Sequence, residues 1–295
     1  MLSILIPIYN TVCTNLVAQL HSEVMRLNIP FEILVADDGS RHEIDENNRK
    51  ILALSNCSYF SSIKNIGPAR LRNSLADRAQ YPYLLFLDAD VLPVHPTFLA
   101  DYLQEAIQGG VVCGGFCYQR GKPSAQHALR YYYGIHVEEK TAAERNRHPY
   151  AQFISMSFLA DRSVFKQVRF DEAMHIGYED TYFGILLEQK HIPLHHIDNP
   201  VYHLSKEPSR EYLRKIRNAI DILSRNIEKQ RTHVRLLQWY TKLERCGLTG
   251  FVAWIFQITQ SAIEKNLTGE KPSLKLFAFY KLGYLCRIRR NSISE

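Results

Sequence analysis

Three short apolar runs open the chain, Ile4 to Ile8, Phe31 to Ala36 and Tyr59 to Ile63. Each is followed by a stretch of helical periodicity, Asn15 to Leu27, Glu43 to Leu54 and Ala69 to Ala79. This rhythm restricts the fold more than any other feature. Consecutive parallel strands cannot be joined by tight turns, and a helix packed back on the sheet is the connection that buries both elements. The sequence therefore predicts βαβ units around a parallel sheet. A fourth run, Tyr83 to Leu87, is continuously apolar, as a strand covered on both faces must be, and it ends in Asp88-Ala89-Asp90. In such sheets ligands bind in the crevice beyond the carboxyl ends of the strands. Those ends read Tyr9-Asn10, Asp37-Asp38-Gly39-Ser40 and Asp88-Ala89-Asp90. Residues two apart on a strand share a side, so Asp88 and Asp90 can face one site while Ala89 packs. The competing reading of this short pattern is a solvated acidic turn.

The second part of the pattern is less regular. A helix is expected over Pro96 to Gln108 and a strand over Val111 to Tyr118, then a polar, irregular stretch from Gln119 to Tyr150 suited to an acceptor loop. Ile154 to Ala160 reads as a strand, Arg162 to Gln167 as a short helix, and Tyr178 to Gln189 as a helix opening on Glu179 and Asp180. Carboxylates at a helix N-terminus complement its dipole, so capping competes with chemistry for that pair. From Pro208 the strand signals stop and helical patterns run to about Arg290, with breaks near Gly247 and over Leu267 to Pro272. The division expected is a catalytic domain over 1–205 and a basic helical extension over 206–295.

Charge follows the same division. Residues 1–205 carry a net −4 and residues 206–295 a net +10. A basic tail suits anionic lipid headgroups, a nucleic acid or an acidic polymer, or forms a solvated helical surface. Its final segment places Leu274, Phe277, Tyr280, Tyr284, Leu285 and Ile288 near one face, the pattern of an interfacial helix, with Lys281 intruding. Cys246 to Ile263 is uncharged for 18 residues but holds several polar side chains, which favours a packed or interfacial helix over a spanning one. The six cysteines make no paired framework, and Leu2 to Ile8 lacks the basic start and cleavage site of a secretory signal. Reduced thiols in the cytoplasm are the expectation.

Several of these segments together resemble the family 2 glycosyltransferases, inverting enzymes of the GT-A fold. They are Ser3-Ile4-Leu5-Ile6-Pro7-Ile8-Tyr9-Asn10, Ile33-Leu34-Val35-Ala36-Asp37-Asp38-Gly39-Ser40, and Asn65-Ile66-Gly67-Pro68-Ala69-Arg70-Leu71-Arg72-Asn73. Phe86-Leu87-Asp88-Ala89-Asp90, Phe170-Asp171-Glu172 and Gly177-Tyr178-Glu179-Asp180-Thr181-Tyr182-Phe183-Gly184 complete the set, which runs from residue 2 to about 205. The resemblance implies an α/β, Rossmann-like mixed sheet of the nucleotide-diphospho-sugar transferase type with an α-helical C-terminal extension.

It also implies roles. Asp90 is expected to ligate Mn²⁺ or Mg²⁺, with Asp88 contacting the donor ribose or metal-bound water and His203 completing the metal or diphosphate site. Pro7, Tyr9 and Asn10 would lie beside base and ribose, and Asp37 would accept from the base imide, which favours uracil. Gly67 would admit the nucleotide, and Arg72 would supply a charged fork, though Arg70 competes with it and Asn73 is a weaker candidate. Asp38, Gly39 and Ser40 read as turn chemistry, and His195 and His196 as strand-end residues. Asp180 would take the acceptor hydroxyl proton, with Glu179 orienting the acceptor or its loop.

The implied activity is transfer of a sugar from a nucleotide-sugar donor, UDP-linked by preference, to a hydroxyl of a glycan or lipid-linked acceptor in cell-surface polysaccharide synthesis. The partners implied include an anionic membrane surface and no nucleic acid, with the basic helices holding the enzyme at the cytoplasmic membrane face. Two other readings fit part of the pattern. A nucleotidyltransferase would use similar carboxylates, but the first strand is followed by Tyr9-Asn10-Thr11-Val12 rather than a Gly-rich basic loop. A non-catalytic scaffold would keep nucleotide-sugar binding without turnover.

Overall fold

The computed structural model describes residues 1–174, 177–204 and 207–293. The chain divides into two compact units. One comprises residues 1–119, 139–175 and 179–205; the other comprises 120–138, 176–178 and 206–295. The polar stretch after Gln119 is thus shared, and residues 120–138 group with the C-terminal helices.

The first unit begins as the alternation predicts. Strand β1 (Leu2–Ile8), helix α1 (Thr14–Leu27), β2 (Phe31–Asp37), α2 (His42–Asn48), β3 (Cys57–Ser61), α3 (Pro68–Arg78) and β4 (Tyr83–Leu87) follow in turn. Helix α2 is shorter than its periodicity suggests and runs on as a 3₁₀ turn over Arg49–Ala53. Its last residue, Asn48, is fully buried; it accepts from the Cys13 N–H at 2.9 Å and donates to the Thr11 carbonyl at 2.9 Å. That pull of the side chain onto the loop after β1 competes with continued α-helix.

Beyond β4 the chain forms β5 (Val91–Pro93), α4 (Phe98–Gln104), β6 (Val111–Cys113) and β7 (Phe116–Cys117). Strand β8 (Ser157–Asp161), helix α7 (Val164–Gln167), helix α8 (Glu179–Gln189), β9 (Leu194–His196) and β10 (Val201–His203) complete the unit, together with the short helix α6 (Ala142–Arg145). Seven strands make the main sheet in the order β3-β2-β1-β4-β8-β6-β9. β1 lies parallel to β2 and β4, while β8 runs antiparallel to both β4 and β6. The sheet is therefore mixed, and its parallel half presents the ends of β1, β2 and β4 along one rim. Its core packs Leu5, Leu34, Leu75, Phe86, Phe158, Phe165, Phe170 and Phe183, with Phe170 and Phe183 stacked at 4.1 Å.

The expected single strand Val111 to Tyr118 is broken at Gly114-Gly115, and packing explains the break. A Cβ on Gly114 would lie 2.3 Å from the Asn199 carbonyl oxygen, and one on Gly115 would lie 2.5 Å from the Arg145 guanidinium. Arg145 is buried and donates to the carbonyls of Cys113, Gly114 and Ile197 at 3.3, 3.2 and 2.9 Å. His196 accepts from it at Nδ1 and donates from Nε2 to Pro149, and burial pushes its pKa down to about 4, so the ring is neutral. This arrangement redirects the chain into the small sheet β5-β10-β7.

The second unit is helical. It contains α5 (Ala128–Tyr133), a π-helical turn over Gly134–Glu138, α9 (Ser209–Arg225), α10 (Ile227–Gln230), α11 (Arg235–Arg245), α12 (Thr249–Leu267) and α13 (Leu274–Ile293). Residues 128–133, expected to be irregular, are helical because Leu129 packs with Tyr212 and Leu213 of α9. The apolar stripe of α13 is not an interfacial face: Phe277, Tyr280 and Leu285 are fully buried and pack with Phe256 of α12 and Tyr212 and Ile220 of α9. Lys281 is accommodated on that stripe with Nζ 4.6 Å from the Tyr133 ring and 4.7 Å from the Phe277 ring, donating to the Tyr133 hydroxyl at 3.0 Å.

Candidate active site

The rim at β1 and β2 is a set of interlocked turns. The Asn10 N–H donates to Ser40 Oγ at 2.7 Å, and Asn10 Oδ1 accepts from the Arg41 N–H at 3.0 Å. Asn10 adopts φ +50, which asparagine tolerates better than most residues. Asp37 is buried. Its Oδ1 accepts from the Ser40 N–H at 2.8 Å and its Oδ2 from the Tyr59 hydroxyl at 2.6 Å. That hydroxyl is also 2.9 Å from Asp45 Oδ1, and it has one proton, so it can be handed from Asp37 to Asp45. Asp38 accepts from the N–H groups of Ile66 and Gly67 at 2.6 and 3.0 Å, fixing the loop that enters α3. Gly67 sits at φ +88 immediately before Pro68 at the first helical position, so both residues suit their places. Pro7 lies within β1, opposite Ala36, and Tyr9 is 53% exposed beside these loops.

The second half of the rim is built around Arg72. α3 turns this residue inward and Arg70 outward. Arg70 Nε pairs with Glu172 Oε2 at 2.8 Å and faces an open concavity of about 640 Å³ shared with Asn73, Asp77 and Arg169. Arg72, with its side chain only 5% exposed, donates from Nη2 to Asp88 Oδ1 at 2.8 Å and places Nη1 3.7 Å from Glu179 Oε1. Its guanidinium also lies 5.4 Å over the Phe170 ring. Burial works against this charge, but Asp88 and Glu179 outweigh it and hold the guanidinium pKa above its ordinary value. Burial raises the Asp88 carboxyl, with Arg72 working in the opposite direction. Arg72 Nε and Nη1 and Glu179 Oε2 are buried without a hydrogen-bond partner, which is unusual for charged groups and suits a polar ligand.

Topology brings His203 to the same corner. β10 pairs antiparallel with β5 so that His203 stands opposite Val91, and the Leu204 N–H donates to the Asp90 carbonyl at 2.8 Å. His203 Nε2 is 3.3 Å from Asp90 Oδ2, and Nδ1 is 3.2 Å from the Tyr118 hydroxyl. Tyr118 orients the ring, a role absent from the sequence reading because a tyrosine at a strand end carries no distinguishing pattern. Two donors on adjacent octahedral positions about 2.1 Å from a metal stand roughly 3 Å apart, so Asp90 and His203 fit one edge of a Mg²⁺ or Mn²⁺ shell. Among the described residues no group of three or more His, Cys, Asp or Glu side chains forms a metal cage. Mg²⁺ in particular is often held by one or two protein ligands plus substrate phosphates and water, so the donor set fits a cation arriving with a diphosphate.

Helix α8 starts at Glu179, after left-handed backbone at Gly177 and Tyr178. Asp180 Oδ1 accepts from the Thr181 N–H at 2.6 Å. Burial, then the adjacent Glu179 charge, pushes the Asp180 carboxyl up to about 7, with Arg72 acting in the opposite direction. Asn73, a weaker ligand candidate, is a clamp instead. It donates to the Phe170 carbonyl and to Glu172 Oε1 and accepts from the Phe170 N–H, so its amide is used in holding the segment below α8.

The fold agrees with what comparison shows. The family model for glycosyl transferase family 2 matches residues 3–169, more than half the chain, and the chain belongs to that family. Relatives include an uncharacterized glycosyltransferase of Rickettsia conorii, 36% identical over 91 residues, which are 31% of this chain and 15% of that protein. One from Rickettsia bellii is 32% identical over 93 residues, 32% of this chain and 13% of that protein. The matches thus span a small part of those longer proteins. Among solved structures, the mannosyltransferase PcManGT from Pyrobaculum calidifontis, in complex with GDP-Man and Mn²⁺, superposes with a TM-score of 0.59 at 12% identity, covering 100% of this chain and 87% of that one. S. aureus TarS 1–349 gives 0.51 at 17% identity, covering 99% and 91%. At these identities the structures establish the GT-A fold, and the family model establishes membership of glycosyl transferase family 2.

Proposed function

We propose that this glycosyltransferase is a metal-dependent inverting enzyme that uses a UDP-linked donor and a hydroxyl acceptor on a glycan or lipid-linked molecule, in cell-surface polysaccharide synthesis. The observation that carries the reading is the convergence of Asp88, Asp90, Arg72, Glu179 and His203 at one end of the sheet, with buried charged atoms unpartnered there. The donor diphosphate binds beside Arg72, whose Nε and Nη1 lack a hydrogen-bond partner and would be reached once the pairing with Glu179 loosens. Asp90 and His203 would hold Mg²⁺ or Mn²⁺, which would supply charge neutralisation for the leaving diphosphate. Solved GT-A relatives carry Mn²⁺ with GDP-Man and Mn²⁺ with UDP, which supports a divalent ion but leaves the base open. Asp37, released from Tyr59, is our reason for placing uracil first.

Asp180 takes the acceptor proton as the hydroxyl oxygen bonds to the anomeric carbon opposite the diphosphate. The glycosidic C–O bond to phosphate breaks, nucleoside diphosphate leaves, and the configuration inverts. A carboxyl held near 7 is a competent base at neutral pH, and a burial-raised pKa strengthens it as a proton acceptor. Glu179 keeps Arg72 in place and the N-terminus of α8 oriented. Incubation with UDP-, GDP- and TDP-sugars, with Mn²⁺ or with chelator, should give metal-dependent release of UDP, and NMR of the product should show the inverted anomer. Retained anomeric configuration, or full turnover in chelator, would overturn the mechanism.

A further inference from the structure

The second unit carries an apolar cluster that its own core does not use. On α12, Ala253, Phe256, Ile263 and Leu267 pack inward, while Phe251, Trp254 and Ile258 fall on the opposite face at helical spacing and are 58, 53 and 62% exposed. The Phe251 and Trp254 rings stack at 6.1 Å. Leu248, in the turn before α12, is 45% exposed, and Trp239 on α11 is 49% exposed. Trp239 and Trp254 are the two tryptophans of the chain, and both are about half exposed. Exposed Arg235 and Lys242 flank Trp239 on α11, with Lys242 Nζ 4.7 Å from a Trp239 ring, and exposed Arg245 follows. Lys265 continues the outer face of α12. Of the carboxylates on these helices, Glu264 is taken up by Arg217, Tyr280 and Gln260, and Glu244 lies 3.9 Å from Arg231.

We propose that this corner of α11 and α12 docks on an anionic lipid bilayer, with Trp239, Leu248, Phe251, Trp254 and Ile258 entering the interface and Arg235, Lys242, Arg245 and Lys265 meeting the headgroups. Tryptophan combines a large apolar ring with one N–H donor and is enriched where hydrocarbon meets water. Among the described residues no single helix is long and apolar enough to cross a membrane; α11 and α12 pass that test only as a pair bent by 116°. The shape suits lying on a bilayer rather than crossing it. A second copy of the chain would bring the same four cations together, whereas an anionic surface complements both them and the +10 charge of residues 206–295. This surface replaces the α13 stripe as the membrane-facing element.

The tryptophans report directly on the contact. The full chain is titrated with vesicles of phosphatidylcholine alone, of phosphatidylcholine with phosphatidylglycerol, and of the anionic mixture with brominated acyl chains. The expected result is co-sedimentation with anionic vesicles, a blue shift of tryptophan emission and quenching by bromine. Phe251→Ser with Ile258→Ser, which leaves both reporters in place, should abolish the shift while preserving circular dichroism and Tm. Lys242→Gln should weaken binding about fivefold. Binding without blue shift or quenching, or unchanged binding of the serine variant, would overturn the proposal. So would a concentration-dependent dimer by sedimentation that the serine variant abolishes. None of these readouts depends on glycosyl transfer.

Discussion

The carboxylates at the end of β2 and those gathered beyond β4 look alike in sequence and behave differently in the fold. Asp37 and Asp38 spend their oxygens on backbone N–H groups and a phenol, and every listener is part of the chain itself. Asp88, Asp90 and Glu179 are arranged around other charged groups, and Arg72 and Glu179 retain buried atoms with no partner. In this structure the first group holds loops in shape, and only Asp37 has a partner, the Tyr59 phenol, that can turn to another carboxylate, Asp45. The second sets charge against charge and leaves buried polar atoms without a hydrogen-bond partner, and the proposed function makes it the reacting end of the rim.

The largest expected effect breaks this contrast from the reactive side. Asp90→Asn should lower kcat/KM about a thousandfold while leaving Tm close to that of the parent, since an interaction with the developing charge is lost and no packing is. Steady-state rates and calorimetry on the same preparation check both halves. Asp180→Asn should cost about a hundredfold or more. In the parent enzyme, the folded-state pKa of Asp180 is raised to about 7, so protonation below that value removes the base. Activity should therefore rise with pH through the neutral range and level off above it, and a bound cation should move the midpoint downward. The same sign makes Asp180 a burden on stability at neutral pH: its relative contribution is fullest below the unfolded pKa and is lost as pH rises through about 7. A flat pH profile between mildly acid and alkaline conditions would remove Asp180 from the role.

Changes on the structural side should do the reverse. Asp38→Ala orphans the N–H groups of Ile66 and Gly67 and should lower stability by about 2 kcal/mol, measured by urea unfolding, with per-molecule activity of the folded fraction largely kept. Tyr59→Phe is the mildest test. Losing one hydroxyl shared by Asp37 and Asp45 should cost about 1 kcal/mol, and if Asp37 accepts from the base, donor KM should fall or stay level rather than rise.

Much of this organisation is legible in the sequence, because the signals are local. The βαβ rhythm gives β1 to β4 and α1 and α3, and the Asp88-Ala89-Asp90 strand end gives the corner of the site. Arg72 could not be told from Arg70 by spacing alone, since only packing against Phe170 and Asp88 turns one inward and leaves the other with Glu172. The break of the sixth strand depends on a buried arginine from α6 and on Asn199, both remote in sequence. Reading the α13 stripe as a surface face failed for a related reason: amphipathicity shows that a face is apolar, and the neighbours that cover it are supplied by α9 and α12. The exposed face of α12 was hidden inside an uncharged segment whose scattered polar residues let no single face stand out.

The pairing of β10 with β5 has a consequence for how the enzyme is made. Asp88, Asp90 and Arg72 leave the ribosome early, yet β4 needs β8 beside it, and Asp90 meets His203 only when β10 folds back on β5. A nascent chain stopped before that point holds the paired aspartates without their imidazole. Under the proposed function, the corner that binds donor and metal is therefore complete only after the last strand of the first unit has been made and has paired with β5.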